Sequence, residues 1–385
     1  MKNKSLLSLK KSGQSIWLDF ISKSLLQSKE LQKLVDEGIL GVTSNPSIFE
    51  QAISKSNDYD EYISYVIEQG AIQPKAIYEN LAISDIQKAC DILFELYEKT
   101  NTQEGFVSLE LDPNLCNDVE KSVDEAKRLY KSINRTNLMI KVPATQAGFE
   151  IIYRLVLSGI SVNVTLLFSI ESYQQANKAY CKALEERVSK NLKIDHIHSV
   201  ASFFLSRIDT KVDNLLQKII DTQGQNSQIA KSCLGKTAIC LAKKAYQSYE
   251  EFYQSSYAKN LLAKGANPQK LLWASTSVKN KNYNEFLYVT NLVFKNTVNT
   301  LPVATLESLL KSNQELIPSS IDDTDNYLDY LSKISICTKS ITDELLIEGI
   351  DIFKKAFMNL LSAIQQKALN LEKKRSEEHT SELQS

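Results

Sequence analysis

The sequence predicts an α/β fold, a (β/α)8 TIM barrel with additional helices. Eight short apolar runs alternate with longer amphipathic segments along the 385 residues, which is the pattern of strands joined by helices. Several runs are rich in Val, Ile, Leu and Phe without strict alternation, as in parallel strands covered on both faces. Eight parallel strands close into a barrel; a doubly wound open sheet is the alternative. The predicted strands are 16–20, 39–45, 106–112, 138–144, 160–168, 198–204, 271–276 and 286–294.

The segments between these runs show the spacing of amphipathic helices, with apolar residues three to four positions apart. A long C-terminal helix is predicted over 343–371, with Phe353 in its apolar stripe and Gly349 weakening its first turns. Residues 58–100 contain two or three helical segments and no strand, so extra helices are expected. The other predicted helices are 119–133, 169–186 and 206–220.

Composition and charge narrow the class of protein. The chain has 45 Lys and Arg against 46 Asp and Glu, a net charge of -1, so neither nucleic acid nor a membrane is expected as a partner. No apolar run approaches the roughly 18 residues that span a bilayer, and residues 1–14 lack the apolar core of a signal peptide. The six cysteines form no CxxC pair, which fits reduced thiols and a cytoplasmic location.

Histidine is nearly absent, which argues against two kinds of site. The chain contains His196, His198 and His379 alone, so a His-based catalytic triad is not expected. His196 and His198 lie two residues apart but lack the further ligands that a zinc site needs. We therefore predict no metal site.

One barrel domain is expected over residues 14–372, the range that holds the predicted strands and helices. Residues 1–13, rich in Lys and Ser, form an N-terminal extension. Residues 375–385 are polar and contain one apolar residue, and they resemble translated adapter sequence. We expect this tail to be non-native or disordered and to have no role in function.

Lys141 stands out because it lies inside the apolar stretch 138–143. Taking an isolated ammonium group out of water is costly, so a buried lysine spends time as the free amine. A free amine in a dry pocket is a nucleophile for carbonyl carbons. The alternative is a lysine at a strand end whose long stem carries the charge into solvent.

Polar side chains stand at the ends of several predicted strands. The carboxyl ends of barrel strands meet at one mouth, where functional side chains lie. Some members have structural alternatives, because Asn45-Pro46 and Asp112-Pro113 are typical of caps and turns. One shared site explains them better, since each unpaired buried polar group costs about 1–3 kcal/mol. The set is Asp19, Asn45, Glu110, Asp112, Lys141, Asn163, Thr165, Ser202, Phe204, Arg207, Ser275, Ser277 and Lys279.

These residue types predict class I aldolase-like chemistry. A neutral lysine adds to a ketone and loses water, and the resulting Schiff base draws electrons from the neighbouring carbon–carbon bond. Asp19 and Glu110 can move the protons that cleavage and water loss require. Thr165 with Glu110 can hold the water. Arg207 is the stronger candidate for binding a phosphate, and Lys279 is a point charge for the same purpose.

One short string imitates a nucleotide-binding motif. Gly235-Lys236-Thr237 resembles the end of a P-loop, but Ala230 stands where the motif requires its first glycine. The segment also continues as a helix pattern over 239–246. We therefore expect no nucleotide binding at this segment.

Nine strings of the sequence resemble those of the transaldolase family, and its longer bacterial subfamily in particular. Each string is moderately specific, and nine in order are very specific; they cover nearly the whole chain apart from its ends. The strings are SIWLDF (15–20), GVTSNPSIF (41–49), YENLAISDIQ (78–87), VSLELDP (107–113), LMIKVPAT (138–145), GISVNVTLLFS (159–169), SFFLSRID (202–209), WASTSVKN (273–280) and NTLPVATL (299–306).

The resemblance implies a transferase of the non-oxidative pentose phosphate pathway. The family reaction moves a dihydroxyacetone unit from sedoheptulose 7-phosphate to glyceraldehyde 3-phosphate, which gives erythrose 4-phosphate and fructose 6-phosphate. It implies sugar phosphates as partners and neither a metal nor an organic cofactor. A monomer or a homodimer is expected.

The resemblance also implies a role for each candidate residue. Lys141 forms the Schiff base, and Asp19 is the acid and base at the sugar hydroxyl. Glu110 with Thr165 positions the catalytic water. The implied substrate-binding residues are Asn45 and Asn163 at the dihydroxyacetone hydroxyls, Ser202 and Phe204 along the pocket, and Arg207, Ser277 and Lys279 at the phosphate, with Ser275 as the alternative to Ser277.

The segment after the seventh predicted strand departs from the shorter subfamily, which has Ser-Phe-Arg-Asn there. Matched on Asn280, this chain has Lys279 in the arginine's place, which loses bidentate phosphate binding. Ser277 fits the serine of that string, although the longer subfamily often has glycine there. Two other functions stay open: a class I aldolase acting on a phosphosugar, and a non-catalytic barrel that binds phosphosugars.

Overall fold

The structure of the protein is a computed structural model that describes residues 3–322 and 324–382, with side chains described as far as residue 373. The eight strands in this part of the chain are β1 (Gln14–Leu18), β2 (Gly41–Thr43), β3 (Phe106–Glu110), β4 (Leu138–Pro143), β5 (Val162–Leu167), β6 (Ser199–Phe204), β7 (Gln269–Ala274) and β8 (Thr297–Leu301). All are parallel, they pair in chain order, and β8 closes on β1. The predicted (β/α)8 barrel is therefore confirmed.

Seventeen α-helices surround the barrel in the range that the structure describes. They are α1 (Lys4–Lys11), α2 (Lys23–Gln27), α3 (Glu30–Glu37), α4 (Pro46–Ser54), α5 (Asp60–Glu68), α6 (Pro74–Lys99), α7 (Val119–Ile133), α8 (Gln146–Leu157), α9 (Ile170–Ser189), α10 (Ser206–Asp221), α11 (Ser227–Cys233), α12 (Thr237–Gln254), α13 (Ser256–Ala263), α14 (Leu287–Thr290), α15 (Val303–Ser312), α16 (Thr324–Lys333) and α17 (Thr338–Glu382).

The predicted helices are confirmed. Helices α5 and α6 fill the strand-free segment 58–100, and α7, α9 and α10 match their predicted ranges closely. Helix α17 contains the predicted C-terminal helix, and its backbone continues to Glu382, into the predicted tail 375–385. The side chains of that tail and residues 383–385 lie outside the described residues, so its non-native or disordered character stays a prediction.

The predicted position of the eighth strand is wrong. Residues 286–294 form the short helix α14 and a loop, and their apolar side chains are buried in that arrangement. The true strand, β8, has the more polar sequence Thr-Val-Asn-Thr-Leu. Thr300 of this strand finds a partner inside the barrel, because its Oγ1 lies 3.1 Å from Thr43 Oγ1. A search for apolar runs therefore selects the buried loop instead of the strand.

Both ends of the chain contribute to packing around the barrel. Helix α1, within the N-terminal extension, buries Leu9 completely, and Ser5 Oγ donates a 3.3 Å hydrogen bond to the Leu309 carbonyl. Helix α17 packs against α4, α5 and α6 on the other side. All six cysteines are free. Of the helices described, none has the length and apolar character needed to cross a membrane.

Aromatic rings fill the barrel interior. Trp17 lies two residues before Asp19 and therefore on the same face of β1. The Trp17 and Phe106 ring centroids are 6.4 Å apart, and those of Phe106 and His198 are 4.9 Å apart. Gly41 on β2 leaves room for the indole, because a Cβ there would lie 2.5 Å from two of its ring carbons. The barrel is thus a packed core that supports the residues at its mouth.

Gly41→Ala is expected to lower the free energy of unfolding by about 1–3 kcal/mol, because the added methyl group must displace the Trp17 indole from a close-packed interior. Urea unfolding followed by tryptophan fluorescence measures the loss. Gly224→Ala is the control, because a Cβ there meets one atom within 4 Å, at 3.4 Å. Equal stabilities of the two variants would contradict the packing argument.

A buried Tyr–Asp pair ties the segment after β1 to α6. Tyr59 Oη donates a 2.7 Å hydrogen bond to Asp85 Oδ2 and accepts one of 2.9 Å from the Lys23 amide. Asp85 is 3% exposed, and burial raises the pKa of its carboxyl from 3.8 to about 6. Through the Lys23 amide, the pair therefore fixes the start of α2, a few residues after Asp19. The arrangement requires that the Asp85 carboxyl group be buried.

The raised pKa of Asp85 predicts a pH dependence of stability. The folded state favours the protonated form of Asp85. The contribution of this protonation to the free energy of unfolding is complete below the ordinary pKa of 3.8 and is lost as the pH rises through about 6. The difference between these two pKa values corresponds to about 3 kcal/mol of unfolding free energy. Asp85→Asn is neutral throughout, so we expect the urea midpoint of the wild type to fall relative to this variant across that window. Parallel pH profiles of the two proteins would contradict this assignment.

Candidate active site

Lys141 and Glu110 form a buried ion pair at the carboxyl end of the barrel strands. The two residues are register partners on β4 and β3. Lys141 Nζ lies 3.2 Å from Glu110 Oε2 and donates a 3.2 Å hydrogen bond to the Ser44 carbonyl oxygen. The two side chains are 6% and 4% exposed. The buried lysine predicted from the sequence is confirmed, and the alternative of a lysine reaching solvent is wrong.

Burial raises the pKa of Glu110, because its carboxylate loses hydration inside the barrel. Lys141 and Arg207 act in the opposite direction, whereas the nearby charge of Asp19 adds to the rise. The net shift of the pKa is upward. Glu110 therefore accepts a proton more readily than a carboxylate in water, as groups that move protons in active sites do.

Asp19 lies half-buried directly after β1, at the same end of the barrel. Its Oδ1 accepts a 2.7 Å hydrogen bond from Thr43 Oγ1, and Thr43 in turn contacts Thr300 on β8. Three adjacent strands thus determine where the Asp19 carboxylate stands. Its charge acts on Glu110, so the structure brings the two predicted acid–base residues together.

Amide and hydroxyl groups lie on the other side of Lys141. Asn163 on β5 is its register partner and is fully buried. Asn163 Nδ2 donates to Ser108 Oγ at 3.0 Å, and Oδ1 accepts from Ser202 Oγ at 2.6 Å. Thr165 is also fully buried, and its hydroxyl makes no hydrogen bond within the described part of the chain. The Thr165 hydroxyl is therefore available to a ligand or a water molecule.

Two strand-end residues are helix caps, as the structural alternatives predict. Asn45 caps α4, because its Oδ1 accepts a 3.0 Å hydrogen bond from the Ile48 amide. Asp112 caps the 3-10 turn Pro113–Leu115 and forms a 2.7 Å ion pair with Lys75. Capping does not use the Asn45 side-chain nitrogen, which remains a candidate donor to a substrate.

Arg207, in the first turn of α10, lies close to two aromatic rings. Its Cζ is 5.6 Å from the Phe204 ring centroid and 5.8 Å from that of Phe353. Burial lowers the pKa of the guanidinium group, and Glu110 and Glu348 oppose that shift. Nη1 is buried and makes no hydrogen bond to any residue that the structure describes. Unused guanidinium donors of this kind suit an anion such as phosphate.

A cleft of about 480 Å³ opens beside Arg207, between α10 and α17. Lys279 lines it, and Lys279 Nζ donates a 2.7 Å hydrogen bond to Ser277 Oγ. Ser275 Oγ instead lies 2.8 Å from Ser206 Oγ, at the start of α10. The structure thus brings Arg207 and Lys279 to one cleft. Ser277 is hydrogen-bonded to Lys279, whereas Ser275 contacts Ser206 at the edge of the cleft.

Three residues at this site were not predicted as site residues from the sequence. Thr43 contacts Asp19, Ser44 accepts the hydrogen bond of Lys141, and the Phe353 ring centroid lies 5.8 Å from Lys141 Nζ. The string GVTSNPSIF contains Thr43 and Ser44, so it could have drawn attention to them. Phe353 resembles every other member of its apolar stripe, and only the fold places it at the site.

The loop that imitates a P-loop uses its amides within the protein. The Gly235 amide donates to Asp213 Oδ1 at 2.9 Å, and the Ala238 amide donates to Asp209 Oδ1 at 2.7 Å. A cavity of about 780 Å³ lies beside this loop, and none of the strand-end candidates lines it. Among the residues described, no group of three His, Cys, Asp or Glu side chains is placed to hold a metal ion.

A (β/α)8 barrel with a buried lysine–carboxylate pair at its mouth is typical of enzymes of the class I aldolase type. Comparison with known proteins identifies the family within this class. The family described as Transaldolase/Fructose-6-phosphate aldolase matches residues 16–364. The transaldolase of Trichodesmium erythraeum (strain IMS101) is 42% identical over 381 residues, which cover 96% of this chain and 99% of the relative. That of Mycolicibacterium smegmatis is 39% identical over 368 residues, with 94% and 97% covered.

The chain therefore belongs to the transaldolase family. The resemblance carried by the nine strings is confirmed. Its function is that of a transaldolase, a transferase of carbohydrate metabolism in the pentose phosphate pathway.

The buried ion pair predicts strong coupling between two substitutions. Removing one partner leaves the other charge unpaired in the barrel, which costs about 3–5 kcal/mol. We expect Glu110→Gln and Lys141→Met each to reduce the free energy of unfolding by about that amount, and the double variant to lose less than their sum. Urea unfolding of the four proteins measures this coupling. Losses that simply add would contradict the ion pair.

Proposed function

We propose that the protein moves a dihydroxyacetone unit from sedoheptulose 7-phosphate to glyceraldehyde 3-phosphate through a Schiff base on Lys141, giving erythrose 4-phosphate and fructose 6-phosphate. The observation that carries the proposal is the enclosed Lys141–Glu110 pair, whose charged atoms are 3.2 Å apart. Transaldolase relatives along nearly the whole chain support sugar phosphates as substrates. The chemistry is within reach of the side chains alone, and we propose that it uses neither a metal nor an organic cofactor.

Glu110 is the base that prepares Lys141. An ammonium group is not a nucleophile, so a proton must leave Nζ before attack. Glu110 Oε2 is 3.2 Å away, and burial raises the pKa of that carboxyl. Both features favour transfer of the proton. The uncharged amine then adds to the ketone carbon of the sugar.

Loss of water from that adduct gives the Schiff base. We assign Glu110 and Thr165 to position this water, because Thr165 has a buried hydroxyl without a partner among the described residues. Thr165 is the register partner of Pro143, two residues beyond Lys141 on β4. The hydroxyl therefore stands at the mouth, on the strand next to the lysine.

Asp19 is assigned to the sugar hydroxyl next to the bond that breaks. As the hydroxyl loses its proton, the carbon–carbon bond breaks and the positive Schiff base takes its electrons. Addition to the acceptor aldehyde reverses these steps, so one carboxyl serves as base and then as acid. The 2.7 Å hydrogen bond from Thr43 Oγ1 supports it in this position.

Uncharged groups would orient the three-carbon unit. We assign Asn45 and Asn163 to its hydroxyls and Phe204 to the pocket wall. The 2.6 Å hydrogen bond from Ser202 Oγ holds the Asn163 side chain in one orientation. A fixed amide costs less entropy on binding than a mobile one.

The phosphate is assigned to the cleft of about 480 Å³ beside Arg207. The buried Arg207 Nη1 has no partner in the described chain, and Lys279 adds a second positive charge. Ser277 stands next to Lys279 and is the hydroxyl donor, with Ser275 as the alternative. Since Lys279 replaces a bidentate group by a point charge, Arg207 supplies the directional contacts.

We propose one barrel domain over residues 14–372, with an extension at 1–13 and a tail at 375–385 outside the functional unit. The balanced charge, a net -1, supports a protein that binds no nucleic acid. We also propose a cytoplasmic location and a monomer or homodimer.

Lys141→Arg tests the proposal, because arginine keeps the positive charge but cannot form the Schiff base. We expect kcat for sugar transfer to fall by at least about 10³-fold, with the circular dichroism spectrum unchanged. Lys270→Arg is the matched control, since Lys270 is also mostly buried and lies 3.5 Å from Glu104, near the amino-terminal start of β7. It should keep the wild-type rate. Sugar transfer retained in Lys141→Arg would contradict the mechanism.

A further inference from the structure

Helix α17 crosses the barrel mouth and places Phe353 over the lysine. The ring centroid lies 5.8 Å from Lys141 Nζ, 5.8 Å from Arg207 Cζ and 6.4 Å from the Phe204 ring. Phe353 is 5% exposed. One apolar ring therefore lies against the amine, the guanidinium group and the pocket wall at once.

The backbone of α17 approaches the mouth as closely as a glycine permits. A Cβ on Gly349, one turn before Phe353, would lie 3.0 Å from Leu166 Cδ2 and 3.6 Å from Arg207 Nη1. Leu166 has a φ of 60° where the register of β5 shifts, a conformation that is uncommon outside glycine. The end of β5 and the helix are thus fitted to each other beside the site.

Ion pairs attach this part of α17 to α10. Lys211, one turn after Arg207, lies 2.8 Å from Glu344 and 2.5 Å from Glu348. Exposed carboxylates in such pairs hold only weakly, because water competes for both charges. The burial of Phe353 and the close approach at Gly349 therefore hold segment 344–353 over the mouth more firmly than these ion pairs do.

A three-carbon unit bound to Lys141 has two fates after cleavage. In transfer, the carbon freed by cleavage attacks an acceptor aldehyde, whose oxygen takes a proton, and water then releases the longer ketose from Lys141. In release, that carbon takes a proton from water, and a further water adds to the carbon–nitrogen double bond. The C–N bond then breaks, dihydroxyacetone leaves, and Lys141 regains its amine. Release therefore needs a proton for the freed carbon, whereas transfer needs that carbon left unprotonated until an acceptor arrives. Both fates end with water at the carbon–nitrogen bond.

We propose that Phe353 determines which fate prevails, because its ring lies over Lys141 and keeps water, the source of that proton, from the three-carbon unit while it waits for an acceptor. This inference rests on the proposed Schiff-base mechanism and makes Phe353 a residue that determines specificity for transfer over release. An apolar ring neither supplies a proton to the waiting carbon nor holds a water molecule beside it.

Fructose 6-phosphate without an acceptor measures release directly, when glyceraldehyde 3-phosphate is consumed by a coupling enzyme as it forms. The wild type should show a burst that matches the number of sites and then stall, because dihydroxyacetone stays on the lysine. Phe353→Ala should continue to turn over, with the ratio of release to transfer raised at least about tenfold. Phe353→Leu keeps an apolar side chain and should give a ratio near that of the wild type.

Phe357→Ala is the matched control. Phe357 lies one turn further along α17 and packs against Tyr78, with ring centroids 5.5 Å apart. The same volume is removed, so the ratio of release to transfer should stay at the wild-type value. If Phe353→Ala does not fold, we expect Phe353→Val to show the raised ratio of release to transfer.

Two results would overturn the proposal for Phe353: an unchanged ratio in the folded Ala or Val variant, or an equal rise in Phe357→Ala. Borohydride treatment of the wild type with fructose 6-phosphate distinguishes failure of the Phe353 proposal from failure of the Schiff-base mechanism. An adduct combined with an unchanged ratio overturns the role of Phe353 alone. No adduct in the wild type overturns the Schiff-base mechanism and the proposal with it.

Discussion

An ammonium and a carboxylate 3.2 Å apart inside a barrel set the conditions that the rest of the structure must meet. Neither charge is tolerable there alone, because both have left water. The backbone register of β3 and β4 places them side by side, so their separation depends on strand pairing rather than on mobile loops. The Ser44 carbonyl accepts from the lysine as well, which leaves the pair with little freedom to turn away.

Some neighbouring residues orient the side chains of the site, and others have polar atoms available to a substrate. Thr43 and Ser202 hydrogen-bond side chains that face the pair and thereby fix their orientation. Thr165 and Arg207, by contrast, have buried polar atoms without partners in the described chain, which is unusual for structural residues. Rigid strand ends thus hold the chemistry, and a single helix, α17, closes over it. This division suits a site that must stay dry during one step and exchange sugars in another.

Much of the fold could be predicted because helices and most strands follow local patterns. Seven strands lie in or beside apolar runs, whereas β8 buries two threonines and Asn299, which contact distant groups such as the Thr43 hydroxyl and the Tyr288 carbonyl. No local pattern shows those contacts, so a search for apolar runs selects the segment 286–294 instead. Lys141 could be predicted because an apolar context around a charge is itself local. The direct pairing of Glu110 with Lys141 and the position of Phe353 could not be predicted, since both depend on contacts between distant segments.

The central claim is that Lys141 is the nucleophile, and peptide mass spectrometry after borohydride reduction tests it most directly. With fructose 6-phosphate present, one peptide should gain the mass of a reduced three-carbon unit, and fragmentation should locate that mass on Lys141. The Glu110 carboxylate is the nearest charge to that nitrogen, so Glu110→Gln should yield less adduct. A modification on another lysine, or none at all, would contradict the account.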